Sequence, residues 1–207
     1  MTAEIKAPIM GINRHRLATD GKGVTSLVAF HGCPLRCRFC LNNQCHDPKF
    51  PVRSVSPEAL VGELAIDNLY FLATGGGVCF GGGEPLLYAE FIDAFCRIKP
   101  TEWRVTVETS LAVPRPNLEL VAPHIHQFMV DIKDCDADIY RRYTSADNSI
   151  VLDNLRWLLS LDGMADKILV RLPLIPDFNT PADVRRSKTI LSEIGVLNFD
   201  EFTYIRR

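Results

Sequence analysis

The sequence has few of the features that mark a membrane, secreted or nucleic-acid-binding protein. Its 207 residues carry a formal net charge of only −2, so there is no basic excess of the kind that binds nucleic acid. No apolar run reaches the roughly 18 residues of a membrane span. The N-terminus lacks the basic and apolar regions of a signal peptide. We therefore expect neither nucleic-acid nor membrane partners.

The cysteines do not suggest a disulfide framework, because their number, seven, is odd and the sequence shows no export signal. Such a chain is expected to keep its thiols reduced in the cytoplasm, with metal binding or catalysis accounting for some of them. The sequence shows no internal repeat, low-complexity tract or linker. We expect a single domain over residues 1–207.

Segments typical of strands and helices alternate along the chain. Apolar runs predict six strands, over residues 24–31, 77–80, 104–108, 127–132, 168–175 and 201–205. Ser56 and Pro57 predict the start of a helix that continues through Leu72, and further helices are predicted over 89–98, 151–161 and 181–194. This alternation predicts an α/β fold with a parallel sheet and an active site at the C-terminal ends of its strands.

Three cysteines, Cys33, Cys37 and Cys40, lie within eight residues, in a loop over residues 32–46. Thiolates at this spacing can converge on one metal centre. Zinc usually takes four ligands, and each iron of a cubane cluster takes its own, so three cysteines leave one iron open to another ligand. Two alternatives are ordinary buried thiols and a zinc site completed by Cys45 or His46.

Glycine-rich and charged segments follow the predicted strands. Residues 81–85 read GGGEP, which is either a tight turn or a place where a ligand approaches the backbone and Glu84 accepts hydrogen bonds from an ammonium group. Asp131 and Lys133 share one side of a strand, and they form either a surface ion pair or a site for an amino-acid zwitterion. Arg171, within an apolar strand, indicates an inward-facing ligand or a buried ion pair.

The other cysteines and the histidines are given structural interpretations. Cys79, Cys96 and Cys135 are predicted to be core or near-core thiols, whereas the role of Cys45 is left open. No histidines have a metal-binding spacing, and we expect the last two, His124 and His126, on a loop or a strand edge.

Together these residues resemble the radical S-adenosylmethionine (SAM) superfamily, and within it the activating enzymes of glycyl radical enzymes. The cysteine run matches the C-x3-C-x2-C loop of that superfamily, with an aromatic residue, Phe39, before the third cysteine. Further matches lie at residues 20–23, 81–87, 108–110, 129–133 and 170–179. The resemblance implies a partial (β/α)6 TIM-like barrel.

The resemblance also implies a set of cofactor ligands. Cys33, Cys37 and Cys40 would hold a [4Fe–4S] cluster whose open iron binds SAM. The resemblance implies that Gly82, Gly83 and Glu84 bind the amino group of SAM. The full set of implied SAM contacts is Phe39, Gly82, Gly83, Glu84, Glu108, Thr109, Asp131, Lys133 and Arg171. A monovalent cation is implied at Glu108, Thr109, Met129 (through its carbonyl) and Asp131.

The chemistry implied is reductive cleavage of SAM to a 5′-deoxyadenosyl radical, which takes a hydrogen atom from a glycine of a partner enzyme under anaerobic conditions. A flavodoxin or ferredoxin would donate the electron. Two alternatives stay open: a radical SAM enzyme acting on a small molecule or peptide, and a non-catalytic zinc-binding module. The chain departs from the activase pattern at Lys22 and at residues 41–43, and it has no ferredoxin-type insert between Pro48 and Ser56.

Overall fold

The structure is a computed structural model that describes residues 4–17 and 19–204. In this range there are eight strands: β1 (Ala7–Arg16), β2 (Thr25–Phe30), β3 (Arg53–Val55), β4 (Gly77–Gly82), β5 (Arg104–Thr109), β6 (Gln127–Asp131), β7 (Ile168–Leu174) and β8 (Asn198–Thr203). The same residues form seven α-helices: α1 (Pro57–Leu64), α2 (Asn68–Thr74), α3 (Ala89–Ile98), α4 (Arg115–Val121), α5 (Ala137–Thr144), α6 (Ser149–Leu159) and α7 (Pro181–Glu193).

The chain forms two compact units. The first unit comprises Met1–Cys33, Asn42–Glu108 and Arg115–Gln127, and the second unit comprises Pro34–Leu41, Thr109–Pro114 and Phe128–Arg207. No helix among the described residues is long and apolar enough to cross a membrane.

In the first unit the strands are hydrogen-bonded in the order β3-β1-β2-β4-β5. Strands β2, β4 and β5 run parallel, whereas β1 pairs antiparallel with both β2 and β3. The register places Phe30 opposite Gly82 and Phe80 opposite Val107. The carboxyl ends of the three parallel strands therefore lie at one edge of this unit's sheet, as predicted for a βα alternation.

The core of the first unit contains aromatic side chains of the sheet and of α3. Phe30 and Phe80 are fully buried. Phe80 meets Phe95 edge-on at 5.2 Å between ring centroids, and Phe30 meets Phe91 in the same way at 5.8 Å. Such pairs add about 0.5–1.5 kcal/mol to the gain from burial. At the start of α1, the Ser56 hydroxyl accepts a hydrogen bond from the Ala59 backbone N–H, as its N-cap pattern predicts.

In the second unit, β6, β7 and β8 run parallel. The segment after β6 is fixed by a buried polar network around Asp134. The Asp134 carboxylate accepts hydrogen bonds from the side chains of Ser187 and Asn179, both at 3.1 Å. Asn179 also donates to the Pro173 carbonyl and accepts from the backbone N–H of Ile175. Because every member of this network is paired, it orders the segment that carries Lys133.

Each of the six predicted strands is present, as β2 and β4 to β8. The last one is displaced, since it was predicted over 201–205 and ends at Thr203; Ile205 lies outside the described residues. The predicted helix from Ser56 through Leu72 is interrupted by a 3₁₀ turn at Ala65–Asp67. Leu69 and Leu72 are 74% and 50% exposed, so their spacing did not mark a core-facing stripe.

Strands β1 and β3 and helices α4 and α5 were not predicted. The sequence of β1, APIMGINRHR, mixes proline, glycine and basic residues and therefore lacks a clear alternation of apolar and polar positions. Helix α5 (ADIYRRYT) is largely polar, yet it buries Tyr140, Tyr143 and Thr144. Tertiary packing, rather than a local apolar pattern, forms these elements.

Candidate active site

None of the three cysteines of the loop is in a disulfide in the part of the chain that the structure describes. Each of Cys33, Cys37 and Cys40 is partly exposed, in contrast to Cys45, which is buried. The backbone N–H of Cys40 donates to the carbonyl of Cys37 at 3.2 Å, which closes a turn between these two residues. Partial exposure does not by itself distinguish these three cysteines, because Cys96 and Cys135 are also partly exposed.

Residues 34–41 belong to the second unit, where they are fastened to the C-terminal end of α5. The backbone N–H of Arg36 donates to the carbonyl of Thr144 at 2.8 Å, and that of Arg38 donates to the carbonyl of Tyr143 at 3.0 Å. The last carbonyls of a helix have no partner within the helix. The loop satisfies two of them and thereby gains a defined backbone path.

Phe39 anchors the same loop by its side chain. Its ring centroid lies 5.7 Å from that of Phe178, 6.0 Å from that of Tyr143 and 6.5 Å from that of Tyr204. Tyr143 and Phe178 are themselves 5.1 Å apart. We call these four residues the aromatic cluster. It packs the loop between Cys37 and Cys40 against the second unit and gives Phe39 a structural role beside its predicted SAM contact.

Burial raises the pKa of Cys37 to about 11. The cation of Lys133 opposes this rise, whereas Cys40 and Asp131 add to it. The thiol is therefore protonated at neutral pH in the metal-free protein. A metal centre bound by Cys37 has to displace that proton, so we expect assembly to release protons.

Asp131, Lys133 and Arg171 form one charged group in the second unit. The Lys133 Nζ lies 3.2 Å from Asp131 Oδ2, and the Arg171 Nε lies 3.1 Å from Asp131 Oδ1. Lys133 is 9% exposed, so this is not a surface ion pair. Asp131 Oδ1 is buried and makes no hydrogen bond of acceptable geometry among the described residues, even with Arg171 close by. An acceptor in this state suits an ammonium group or a cation.

Lys133 keeps its charge in spite of its burial. Burial lowers the pKa of an ammonium group, but Asp131, Cys37 and Tyr204 outweigh that effect and raise the pKa of Lys133 above its ordinary value. Its Nζ also lies 5.9 Å from the centroid of the Tyr204 ring, on the ring face. A buried cation that stays protonated is a suitable partner for a carboxylate.

Gly82, the last residue of β4, and Gly83 are required by the backbone of β2 and of the segment that follows β2. A side chain on Gly82, whose φ is +90°, would lie 2.8 Å from the Cα of Ala29. A side chain on Gly83 would lie 2.1 Å from the Gly32 carbonyl oxygen. Gly83 donates its backbone N–H to the carbonyl of Phe30 at 2.8 Å. Close packing of two strand ends thus explains glycine here without reference to a ligand.

Glu84 is buried, at 1% exposure. Its backbone N–H donates to the Gly32 carbonyl at 2.8 Å, and its side chain accepts a hydrogen bond from the backbone N–H of Leu86 at 3.2 Å. This carboxylate therefore caps the 3₁₀ turn at Pro85–Tyr88. The structure gives Glu84 a capping role that the sequence pattern did not predict, in addition to its predicted contact with an ammonium group.

Glu108 lies at the carboxyl end of β5 in the first unit. A side chain at Gly81 would lie 3.0 Å from Glu108 Oε2, so the glycine at 81 leaves room for this carboxylate. Glu108 also contributes to the raised pKa of Arg16, whose main cause is the hydrogen bond of Arg16 to the buried Asp20. Asp20 begins the predicted 20–23 motif, and it therefore has an ion-pairing role in this unit.

Thr109 and Met129 are both buried, at 3% and 5% exposure. The Thr109 hydroxyl accepts a hydrogen bond from the backbone N–H of Leu111 at 2.9 Å. Across the residues that the structure describes, no three His, Cys, Asp or Glu side chains are grouped so as to hold a single metal ion. The predicted monovalent cation ligands stay a prediction.

The other cysteines have surroundings of a structural kind. Cys79 is fully buried. Burial raises the pKa of Cys96 to about 12 and that of Cys135 to about 11. Cys45 is 1% exposed, and its carbonyl accepts from the backbone N–H of Gly32, the residue before Cys33. The thiols of Cys96 and Cys135 are therefore protonated at neutral pH.

The last two histidines take part in local contacts. His124 lies in a 3₁₀ turn and pairs with Asp93 at 2.8 Å. The Nδ1 of His126 accepts a hydrogen bond from the backbone N–H of Val105.

Two residues near the cysteine loop, Tyr143 and Tyr204, were not predicted as site residues. Both belong to the aromatic cluster, and Tyr204 also faces Lys133. The signal available in the sequence was weak: Tyr140 and Tyr143 are one turn apart in a helix that Asp136 caps, as its side chain accepts from the backbone N–H groups of Asp138 and Ile139.

Comparison with known proteins assigns the family. The profile of the radical SAM superfamily matches residues 27–181, which is well over half of the chain. The chain belongs to the radical SAM superfamily, and its cofactors are those of that family, a [4Fe–4S] cluster and SAM. The protein is a radical SAM enzyme, and its homologues include activating enzymes of glycyl radical enzymes.

Three curated relatives illustrate this. Pyruvate formate-lyase 2-activating enzyme of Escherichia coli is 32% identical, over 83% of this chain and 68% of its own length. Pyruvate formate-lyase-activating enzyme of Staphylococcus aureus is 30% identical, over 89% and 76%. The (2S)-3-sulfopropanediol dehydratase activating enzyme of Klebsiella oxytoca is 32% identical, over 77% of this chain but only 51% of its own length.

Solved structures confirm the predicted fold class, α/β of the TIM-like barrel type found in radical SAM enzymes. Streptococcus suis SuiB bound to S-adenosylmethionine has a TM-score of 0.64 at 13% identity, covering 87% of this chain and 42% of SuiB. The structure of anSMEcpe with bound AdoMet has a TM-score of 0.62 at 15% identity, covering 84% and 49%. At such identities the likeness concerns the fold alone. This chain spans less than half the length of these two structures.

Proposed function

We propose that this protein reductively cleaves SAM and activates a glycyl radical enzyme by taking a hydrogen atom from a glycine of that partner. The observation that carries the proposal is the cysteine loop, whose three partly exposed cysteines lie in a chain related to three activating enzymes. When bound, the reduced cluster supplies the electron that breaks the sulfonium S–C5′ bond of SAM.

We assign the cluster to Cys33, Cys37 and Cys40. The donor set fits, because three thiols leave one iron open for the amino and carboxylate groups of SAM.

The remaining assignments concern the amino-acid part of SAM. We assign its amino group to the backbone of Gly82 and Gly83 and to Glu84. Asp131, Lys133 and Arg171 would receive the rest of this zwitterion, supported by the retained charge of Lys133 and the available oxygen of Asp131. A monovalent cation at Glu108, Thr109, Met129 and Asp131, and a SAM contact by Phe39, Glu108 and Thr109, complete the proposal.

The chain's own residues position the loop that would hold the cofactor. The aromatic cluster packs the loop between Cys37 and Cys40 against the second unit. Lys133 presents a positive charge at the side of Cys37, which favours the thiolate over the thiol. We further propose a flavodoxin or ferredoxin as electron donor, a cytoplasmic location and anaerobic operation; cysteines outside disulfides are typical of a reducing compartment.

Anaerobic cleavage of SAM tests this function. Protein reconstituted with iron and sulfide and reduced with dithionite is expected to convert SAM to methionine and 5′-deoxyadenosine. Cys37→Ala should abolish both cluster and cleavage, whereas Cys96→Ala, which removes a partly exposed thiol of α3, should retain both. Failure of the reconstituted wild type to form 5′-deoxyadenosine would refute the radical function. Stoichiometric zinc in anaerobically prepared protein, without iron and sulfide, would favour the zinc-binding alternative.

A further inference from the structure

Two partly buried aromatic residues, Phe202 of β8 and Tyr204 just after it, lie beside the two cations assigned above to the zwitterion of SAM. The Arg171 Cζ lies 6.0 Å from the centroid of the Phe202 ring, over its face. The Lys133 Nζ lies 5.9 Å from the centroid of the Tyr204 ring in the same way. Both distances fit a cation–π interaction, whose range extends to about 6 Å. The assignments above use the cations but not the rings.

The backbone of β7 and β8 fixes where both rings lie. Phe202 is opposite Pro173 in the parallel register, and the backbone N–H of Tyr204 donates to the Leu174 carbonyl at 2.8 Å. Residues two apart on a strand share one side, and the two ring centroids are 6.2 Å apart. Since Arg171 belongs to β7, the strand that carries one of the cations also holds the rings in place.

The rings and Asp131 attract the same cations by different means. Asp131 draws the Lys133 Nζ to 3.2 Å and the Arg171 Nε to 3.1 Å. A carboxylate that holds a cation also cancels its charge, so a second carboxylate from a ligand has to compete with it. An aromatic ring attracts a cation through its quadrupole but carries no net charge. A cation held by a ring therefore keeps its charge for a ligand.

We propose that Phe202 and Tyr204 are positioning residues, which restrain Arg171 and Lys133 against complete pairing with Asp131 and so keep both charges available to the carboxylate of SAM. The inference rests on the proposed function, which makes SAM the ligand of this site. The rings act through the cations and need no contact with SAM. It follows that the ring of Tyr204 matters rather than its hydroxyl, and that the ring matters only while Lys133 carries a charge.

The test measures the affinity of the cluster-loaded protein for SAM by anaerobic equilibrium dialysis, after its iron and sulfide have been quantified. Tyr204→Leu removes the ring, whereas Tyr204→Phe removes only the hydroxyl. Tyr204→Leu is also made in Lys133→Met protein, where the ring has no cation to hold. Phe199→Leu is the matched control, because Lys188 Nζ lies 5.4 Å from the Phe199 ring centroid and pairs with Glu201, outside the assigned site.

We expect Tyr204→Leu to keep its iron and sulfide and to bind SAM about three- to tenfold more weakly. Tyr204→Phe should recover most of the wild-type affinity. In Lys133→Met protein, Tyr204→Leu should change the affinity by less than about twofold, because residues that act through one contact are not additive. Phe202→Leu should weaken binding to a similar degree through Arg171, and Phe199→Leu should leave it unchanged.

Wild-type affinity in Tyr204→Leu or Phe202→Leu protein with a full cluster would overturn the inference for that ring. An equal loss on adding Tyr204→Leu to Lys133→Met protein would also overturn it, since the ring would then act independently of the cation. Loss of the cluster in Tyr204→Leu would show that the ring supports the cysteine loop instead. If the wild type carries a cluster but binds no SAM, the proposed function fails first, and the inference fails with it.

Discussion

The turn at residues 81–84 of the first unit and the segment at 131–133 of the second unit both follow a parallel strand, but different forces hold them. In the turn, backbone hydrogen bonds to Phe30 and Gly32 and the close approach of two strand ends fix the chain. In the segment, Asp131 and Lys133 hold each other by charge, and Arg171 lies on the other side of Asp131.

This difference separates the requirements of folding from those of binding. A Cβ at position 82 or 83 would clash with neighbouring backbone atoms, so packing alone explains why both residues are glycine. The charges at Asp131 and Lys133 contribute less to folding, because Arg171 remains 3.1 Å from Asp131 when the Lys133 cation is removed. Mutation of the turn should therefore lower the free energy of unfolding, whereas mutation of the segment at 131–133 should lower the affinity for SAM.

Substitution of Gly83 is expected to have the largest effect. A Cβ at this position would lie 2.1 Å from the Gly32 carbonyl oxygen, a backbone atom that cannot move without disturbing β2. We expect Gly83→Ala to lower the free energy of unfolding by about 4 kcal/mol or more. Chemical denaturation of the metal-free protein followed by circular dichroism measures this loss.

Gly62→Ala is the matched control. Gly62 lies within α1, and a Cβ there meets no atom within 4 Å. Alanine is a better helix residue than glycine, so this variant should gain about 0.5–1 kcal/mol. If Gly83→Ala folded with wild-type stability, the packing explanation for the turn would be wrong.

Substitution of Lys133 should affect binding more than folding. Lys133→Met removes the cation while keeping much of the side-chain volume, and Arg171 still lies 3.1 Å from Asp131. We expect the affinity for SAM to fall roughly ten- to hundredfold, since a charged hydrogen bond contributes about 1.5–3 kcal/mol. The free energy of unfolding should change by about 1 kcal/mol or less. Anaerobic equilibrium dialysis of the cluster-loaded protein gives the affinity.

The control for this variant is Lys188→Met, which breaks an exposed pair with Glu201 in the same unit. Surface pairs contribute about 0–1 kcal/mol, so neither stability nor SAM affinity should change much. If Lys133→Met bound SAM normally but lost several kcal/mol of stability, Lys133 would serve folding rather than binding, and the contrast between the turn and the segment would be wrong.

Much of the fold could be predicted from the sequence, because parallel strands are short apolar runs separated by helices. Residues 104–109 (RVTVET) and 127–131 (QFMVD) are examples, since their β-branched or apolar residues identify them without tertiary information. The antiparallel strand β1 could not be predicted in this way. It contains proline, glycine and three basic residues, and its pairing with β2 is decided by long-range contacts.

The candidate site was predictable where residues carry their chemistry in their identity, as for Cys33, Cys37 and Cys40. It was less predictable where a role depends on position in space. The capping function of Glu84 needs the backbone of Leu86, and the place of Tyr143 beside the loop needs a hydrogen bond to Arg38 and the packing of Phe178. Such relations join residues that are distant in sequence, and no local pattern records them.

The central claim is that this protein places a radical on a glycine of a partner enzyme. Electron paramagnetic resonance of the cluster-loaded protein, mixed anaerobically with a candidate glycyl radical enzyme, SAM and a reductant, tests it most directly. The account predicts a glycyl doublet that depends on SAM and is absent with Cys37→Ala, together with one 5′-deoxyadenosine formed per radical. Rapid formation of 5′-deoxyadenosine without a doublet, for every candidate partner, would contradict the claim and favour a small-molecule or peptide substrate.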